Sequence, residues 1–137
     1  SIASQEEFNK QAVQLAQQQF QALGGTGTDS KLDSAMHTSP NDALSKFGNK
    51  GIIAMLKGNE DAIAAKNLAW QQFKQQNGPQ SYGTFSAQFN KSYDPRVFQS
   101  QYLSGDDKKK MVSGMSQGEK KRLFQAFTVA KQNGWIQ

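Results

Sequence analysis

Two short basic runs, Lys108-Lys109-Lys110 and Lys120-Lys121-Arg122, carry the densest charge in this 137-residue chain. Lys91, Arg96 and Lys131 add to them, so residues 89–137 hold nine Lys/Arg against four acidic residues. Residues 1–88 hold seven of each and sum to zero, which places the whole net charge of +5 in the last third. A one-sided basic surface is a physical device for meeting polyanions. Lysines neutralise phosphates and release counterions, and exposed Tyr or Phe rings among them stack on unpaired bases. The polyanion-binding candidates are therefore Lys108, Lys109, Lys110, Lys120, Lys121 and Arg122. Against this, each run directly follows acidic residues, Asp106-Asp107 and Glu119, which is the pattern of an ordinary solvated helix. Arginine, the preferred residue for phosphate forks, occurs only twice. The solvated surface is the simpler of the two readings.

Other chemistry is sparse. Without cysteine there is no disulfide, thiolate ligand or thiol nucleophile. The lone His37 has no second histidine for a metal site, and Asp29 and Asp33 around it lack the spacing of a calcium loop. Glu60/Asp61, Asp106/Asp107 and Glu119 could serve as the acids of a cell-wall hydrolase. Each also falls in an expected first helical turn, where the helix dipole favours negative charge. Gly24-Gly25-Thr26-Gly27 lacks the Lys of a phosphate loop. No cofactor, metal or small-molecule ligand is expected. The heptad Tyr93-Asp94-Pro95-Arg96-Val97-Phe98-Gln99 reads as a capped helix start, with Arg96 free to pair locally with Asp94. The same corner could present Tyr93 and Arg96 to a protein partner.

The elements that must position these residues are helices. Ser4 with Glu7 forms a capping box, and Phe8, Ala12, Leu15, Ala16, Phe20 and Leu23 recur at helical spacing before Gly24-Gly25. Residues 1–24 thus make an N-terminal helix. Residues 25–39, rich in Gly, Thr and Ser, make a loop or linker with Leu32 and Met36 as its only sizeable apolar groups. Residues 40–137 make a helical core domain, the whole chain forming one domain. Ser39-Pro40 opens a short helix that stops at Gly48, and an apolar helix over 50–57 stops at Gly58. Asn59 caps the next, which runs to Gly78-Pro79. Ser81 caps another, with Tyr82, Phe85 and Phe89 on one stripe. Asp94-Pro95 opens a helix to Gln101, and the boxes Ser104/Asp107 and Ser116/Glu119 open helices over 105–114 and 117–133, closed by Gly134. Trp70, Phe73, Phe85, Phe89, Phe124 and Phe127 are expected in the core.

No stretch alternates as a strand does. The spacing predicts an all-α bundle of about seven or eight helices, several of them short. A mean hydropathy of −0.74 implies a thin core, although fourteen aromatic residues argue against a disordered chain. The longest apolar run, Ile52–Leu56, is far too short to span a membrane. The start, Ser1-Ile2-Ala3-Ser4, shows neither an initiator Met nor a signal-peptide pattern, as expected of a processed or internal fragment.

Residues 40–137 resemble a group of poorly characterised bacteriophage and prophage proteins. The resemblance rests on Asn59-Glu60-Asp61-Ala62, the Trp70 helix, Tyr82-Gly83-x-Phe85 with Phe89-Asn90, Tyr93-Asp94-Pro95-Arg96-Val97-Phe98, and Asn133-Gly134-Trp135-Ile136. It implies a non-enzymatic component of a phage particle, with association with packaged DNA or its delivery as one role. The resemblance brings no catalytic residues. The first expectation is a structural protein that packs against other protein subunits or further copies of itself, in the virion or the bacterial cytoplasm. A nucleic-acid-binding module built on the basic helices is the second expectation, and a cell-wall hydrolase or its accessory the third.

Overall fold

The computed structural model describes residues 2–24 and 40–137. The 25–39 loop, His37, Asp29, Asp33 and the Ser39 cap lie outside the described residues. Within them are seven α-helices: α1 (Ile2–Ala22), α2 (Pro40–Phe47), α3 (Asn49–Asn77), α4 (Tyr82–Ser92), α5 (Pro95–Ser100), α6 (Gly105–Ser113) and α7 (Gln117–Gln132). A 3-10 turn, Pro79–Ser81, joins α3 to α4. There is no strand among the described residues, so the fold is all-α.

Helix α3 is the axis of the molecule. Its 29 residues make it about 43 Å long, and α1, α2, α4 and α5 all pack against it. Helix α1 lies parallel to its first half, in near register. Gln5 exchanges amide hydrogen bonds with Asn49 (3.0 and 3.3 Å), Asn59 donates to Gln19 (3.0 Å), and Lys66 Nζ donates to the Leu23 carbonyl (3.0 Å). Those partners are separated by 44, 40 and 43 residues, so the two helices advance together. Lys66 is only 3% exposed. Its ammonium sits at the carbonyl end of α1, the pole of the helix dipole that favours cations. Burial nonetheless pushes its pKa below the usual lysine value.

Two of the expected helix boundaries are absent, for one reason. Gly58 does not stop a helix and Asn59 does not cap one; α3 runs straight through both. A Cβ on Gly58 would collide with the backbone of Gln99 in α5, so the glycine serves a close approach of two helices. Asn59 is fully buried and spends its amide on partners from α1 and α5. Tertiary contacts here override local start and stop signals. Likewise α1 begins at Ile2, before Ser4, so the first capping box does not form; Glu7 instead accepts from Gln11 one turn on (3.2 Å). Ser81 precedes α4 but turns its hydroxyl back to the Gly78 carbonyl (2.6 Å). The later caps form as read. Asp94, Ser104 and Ser116 accept from the backbone N–H groups of Arg96, Asp107 and Glu119 at 2.9, 3.1 and 3.2 Å. At the end of α7, Gly134 takes φ +72° while Trp135 N–H reaches back to the Ala130 carbonyl (2.9 Å). This left-handed closure folds Trp135 over the core.

The main core joins Leu23, Ala62, Phe85, Phe89, Val97, Phe98, Leu123 and Ile136. Its rings form a chain: Phe73 and Trp70 against Phe85 (5.6 and 5.5 Å), then Phe85–Phe89 (5.7 Å) and Phe89–Trp135 (5.0 Å). Phe85 and Phe89 are buried, and Trp70, Phe73 and Phe127 are half-buried against the same cluster. A smaller cluster of Ala12, Ala43 and Ile52, flanked by Phe8, Leu44 and Leu56, seats α1 and α2 on the start of α3.

Phe124 departs from its expected place. It is 57% exposed, because Leu123, Ala126 and Ala130 already define the inward side of α7. Leu15 is exposed for the same kind of reason, with Ala12, Ala16, Gln19 and Leu23 carrying the contact of α1. Phe124→Ala should therefore change unfolding free energy by less than about 0.5 kcal/mol, as surface substitutions do. Chemical denaturation of the variant beside wild type checks this, and a loss of several kcal/mol would place Phe124 in the core after all.

Candidate functional site

The residues with the sharpest chemical promise do not converge. Lys108, Lys109 and Lys110 are exposed on α6. Consecutive helical residues point about 100° apart, so a run of three fans over some 200° of circumference and cannot face one partner. Helix α6 buries no residue, and Asp106 and Asp107 occupy its first turn. Lys120, Lys121 and Arg122 fan similarly round α7, with Lys120 half-buried and the other two exposed. The two runs therefore form no common stripe.

Tyr93 is not presented to a partner. It is 8% exposed, its ring 4.6 Å from that of Phe89, because α4 continues the Phe85–Phe89 stripe through the first residue past its end. Its companion Arg96 is held by Asp94. The guanidinium donates from Nε to both carboxylate oxygens (3.1 and 3.2 Å) and from Nη2 to Oδ2 (2.7 Å), with both side chains only 12% exposed. Glu119 Oε2 stands 4.0 Å from Nη1. Burial opposes the charge on Arg96, yet the hydrogen bonds and charge of Asp94, with Glu119 beyond, outweigh it and raise its pKa above the ordinary value. The local pairing expected for Arg96 is the one that forms.

Two of the carboxylates considered as hydrolytic acids, Glu60 and Asp61, are likewise engaged elsewhere. Glu60 accepts from the Gln19 amide (2.9 Å), and Asp61 accepts from the Tyr102 hydroxyl. That hydrogen bond, then slight burial and the carboxylate charge, lift the Tyr102 pKa above the usual phenol value. Lys57 lies 5.6 Å over the same ring. Among the described residues no group of three His, Asp or Glu could hold a metal ion.

What the helices do form is a half-open cavity of about 430 Å³ between α2, α3, α5 and the α6–α7 corner. The larger part of its wall is apolar: Met55 from α3, Met111 from α6, Met115 from the corner, with Phe47, Leu103, Ala43 and Ala54. Asp42, Lys46, Arg96 and Glu119 supply charges of both signs, and Gln99 reaches it from α5. The volume lies in the range of ligand and side-chain pockets. Thioether chains are polarizable and unbranched, so three of them make a wall that adapts to differently shaped apolar groups. The methionines are far apart in sequence and none belongs to a motif, so only packing brings them together.

A second feature that local reading passes over is a ladder of side-chain amides through the interior. Gln19 Nε2 donates to the Leu56 carbonyl and to Glu60 (both 2.9 Å). Asn59 Nδ2 donates to Gln19 Oε1, and Gln99 Nε2 to Asn59 Oδ1 (both 3.0 Å). Gln19, Asn59 and Gln99 are 2%, 0% and 5% exposed. The signal was present: Gln19 stands between Ala16 and Leu23 on the apolar stripe of α1, where only a satisfied amide is tolerated.

These features mark a helical scaffold with an adaptable apolar recess, for which comparison with known proteins supplies no precedent: no protein-family model, curated protein or solved structure matches the chain.

Proposed function

We propose that this protein is a non-enzymatic subunit that assembles with further copies of itself, as a component of a bacteriophage or prophage-encoded particle. The observation that carries the assembly is that one chain displays both halves of an apolar contact on different faces. The methionine-walled cavity is a hole. Leu68, 60% exposed on the outward side of α3, is the most exposed large apolar side chain among the described residues. A knob and a hole on separate faces make a head-to-tail contact, which closes into a ring or extends as a filament. Mixed charges at the cavity, Asp42 and Glu119 beside Lys46 and Arg96, suit the near-neutral scaffold of residues 1–88, which carries Leu68. The particle context is supported by the resemblance of residues 40–137 to phage proteins.

Sedimentation of the purified chain across a concentration series tests this reading. Species larger than a monomer are expected, and Met111→Glu should shift them to monomer; Met111 is half-buried against the main core, so circular dichroism first checks that the variant keeps its fold. A wild-type chain that stays monomeric at the highest concentration would end the proposal.

A further inference from the structure

We infer that the outward face of α7 is a binding site for single-stranded nucleic acid, with Phe124 as the ring on which a base stacks. Phe124 stands 57% exposed in the middle of the helix. Half-buried Lys120 and exposed Lys121 lie one turn before it, and Lys131 two turns after it on the same side, with exposed Thr128 between them. From Lys120 to Gln137 there are four basic residues and no acidic one. The one acid of the helix, Glu119, points about 160° away from Lys121, toward Arg96 and the cavity. The face thus pairs an aromatic surface with uncompensated positive charge, the two elements that unpaired strands require.

Duplex DNA does not suit this face, because paired bases hide the surfaces that Phe124 would meet. An anionic membrane does not suit it either: a helix lying in a lipid surface needs a continuous apolar side, and in α7 that side, Leu123, Ala126 and Ala130, is already in the core. The site is confined to α7. The fanned lysines of α6 do not belong to it.

The probe is a fluorescein-labelled oligothymidylate of about 15 nucleotides, a length that spans a typical single-strand site. Its anisotropy is read against the full chain from about 50 mM salt upward. Binding is expected to fall with salt with a log–log slope of about −2, from three phosphates at about 0.7 each. Phe124→Ala should weaken binding about tenfold and leave the slope unchanged, since stacking is uncharged; Phe124→Tyr should restore it. The double variant Lys121→Gln/Lys131→Gln should flatten the slope by more than about one unit. A duplex of the same length should bind more weakly and be indifferent to Phe124→Ala. The inference is overturned by absence of binding at low salt or by equal affinity for strand and duplex. Binding to phosphatidylserine vesicles but not to the oligonucleotide also overturns it. So does a Phe124→Ala protein that binds normally, or one that fails to fold and so reveals the ring as core. None of these outcomes depends on whether the chain self-associates.

Discussion

Gly58→Ala should destabilise the fold by about 3 kcal/mol, the upper range for overpacking a close contact. On helix propensity alone the same change would stabilise by about 1 kcal/mol, because glycine is the weakest helix former after proline. The two effects have opposite signs, and geometry decides between them. A Cβ at this position would meet the Cα and N of Gln99, which are backbone atoms of α5 and cannot swing aside as a side chain does. Helix α5 cannot retreat without loosening Val97 and Phe98, both 1% exposed and central to the main core. Urea unfolding followed by circular dichroism checks this. A variant as stable as wild type would show that α3 and α5 do not meet backbone to backbone.

Asn59→Leu should cost about 4 kcal/mol, from two buried amides each losing a partner at about 1–3 kcal/mol and from a misfitting branched side chain. Gln19 Oε1 would lose its donor and Gln99 Nε2 its acceptor, and both side chains are too buried for water to substitute. The loss should be strongly non-additive. Replacing Gln19, Asn59 and Gln99 together by Leu removes the unpaired groups as well as the bonds, so the triple variant is expected to be more stable than Asn59→Leu. Calorimetric melting of the two variants beside wild type checks the order. A triple variant less stable than the single one would mean that the amides contribute more than each other's satisfaction. The ladder ties α1, α3 and α5 into one register, a role that buried polar groups fill in other helical proteins.

The helices were legible because their signals are local. Asp94, Ser104 and Ser116 cap as their sequences indicate, and Gly134 closes α7 with the conformation its type favours. Gly58 and Asn59 misled because their local meaning, stop and start, differs from their tertiary one, contact and ladder. Phe124 misled because spacing alone placed it with Leu123 and Phe127. Only the packing of α4 and α5 against α7 fixes which 100° of that helix turns inward. Tyr93 misled in the other direction: its place at the capped corner before α5 suggested display, while its i, i+4 relation to Phe89 drew it into the ring chain. The methionine cavity was not legible at all. Met55, Met111 and Met115 meet through the fold, and no pattern in the chain marks them.

Self-association through that cavity has a direct test in complementation. Met111→Glu blocks the hole and keeps the knob; Leu68→Glu removes the knob and keeps the hole. Each variant alone should sediment as a monomer, and an equimolar mixture should form a one-to-one dimer through the single intact pairing. A mixture that stays monomeric, while wild type assembles, would contradict a head-to-tail contact between Leu68 and the cavity.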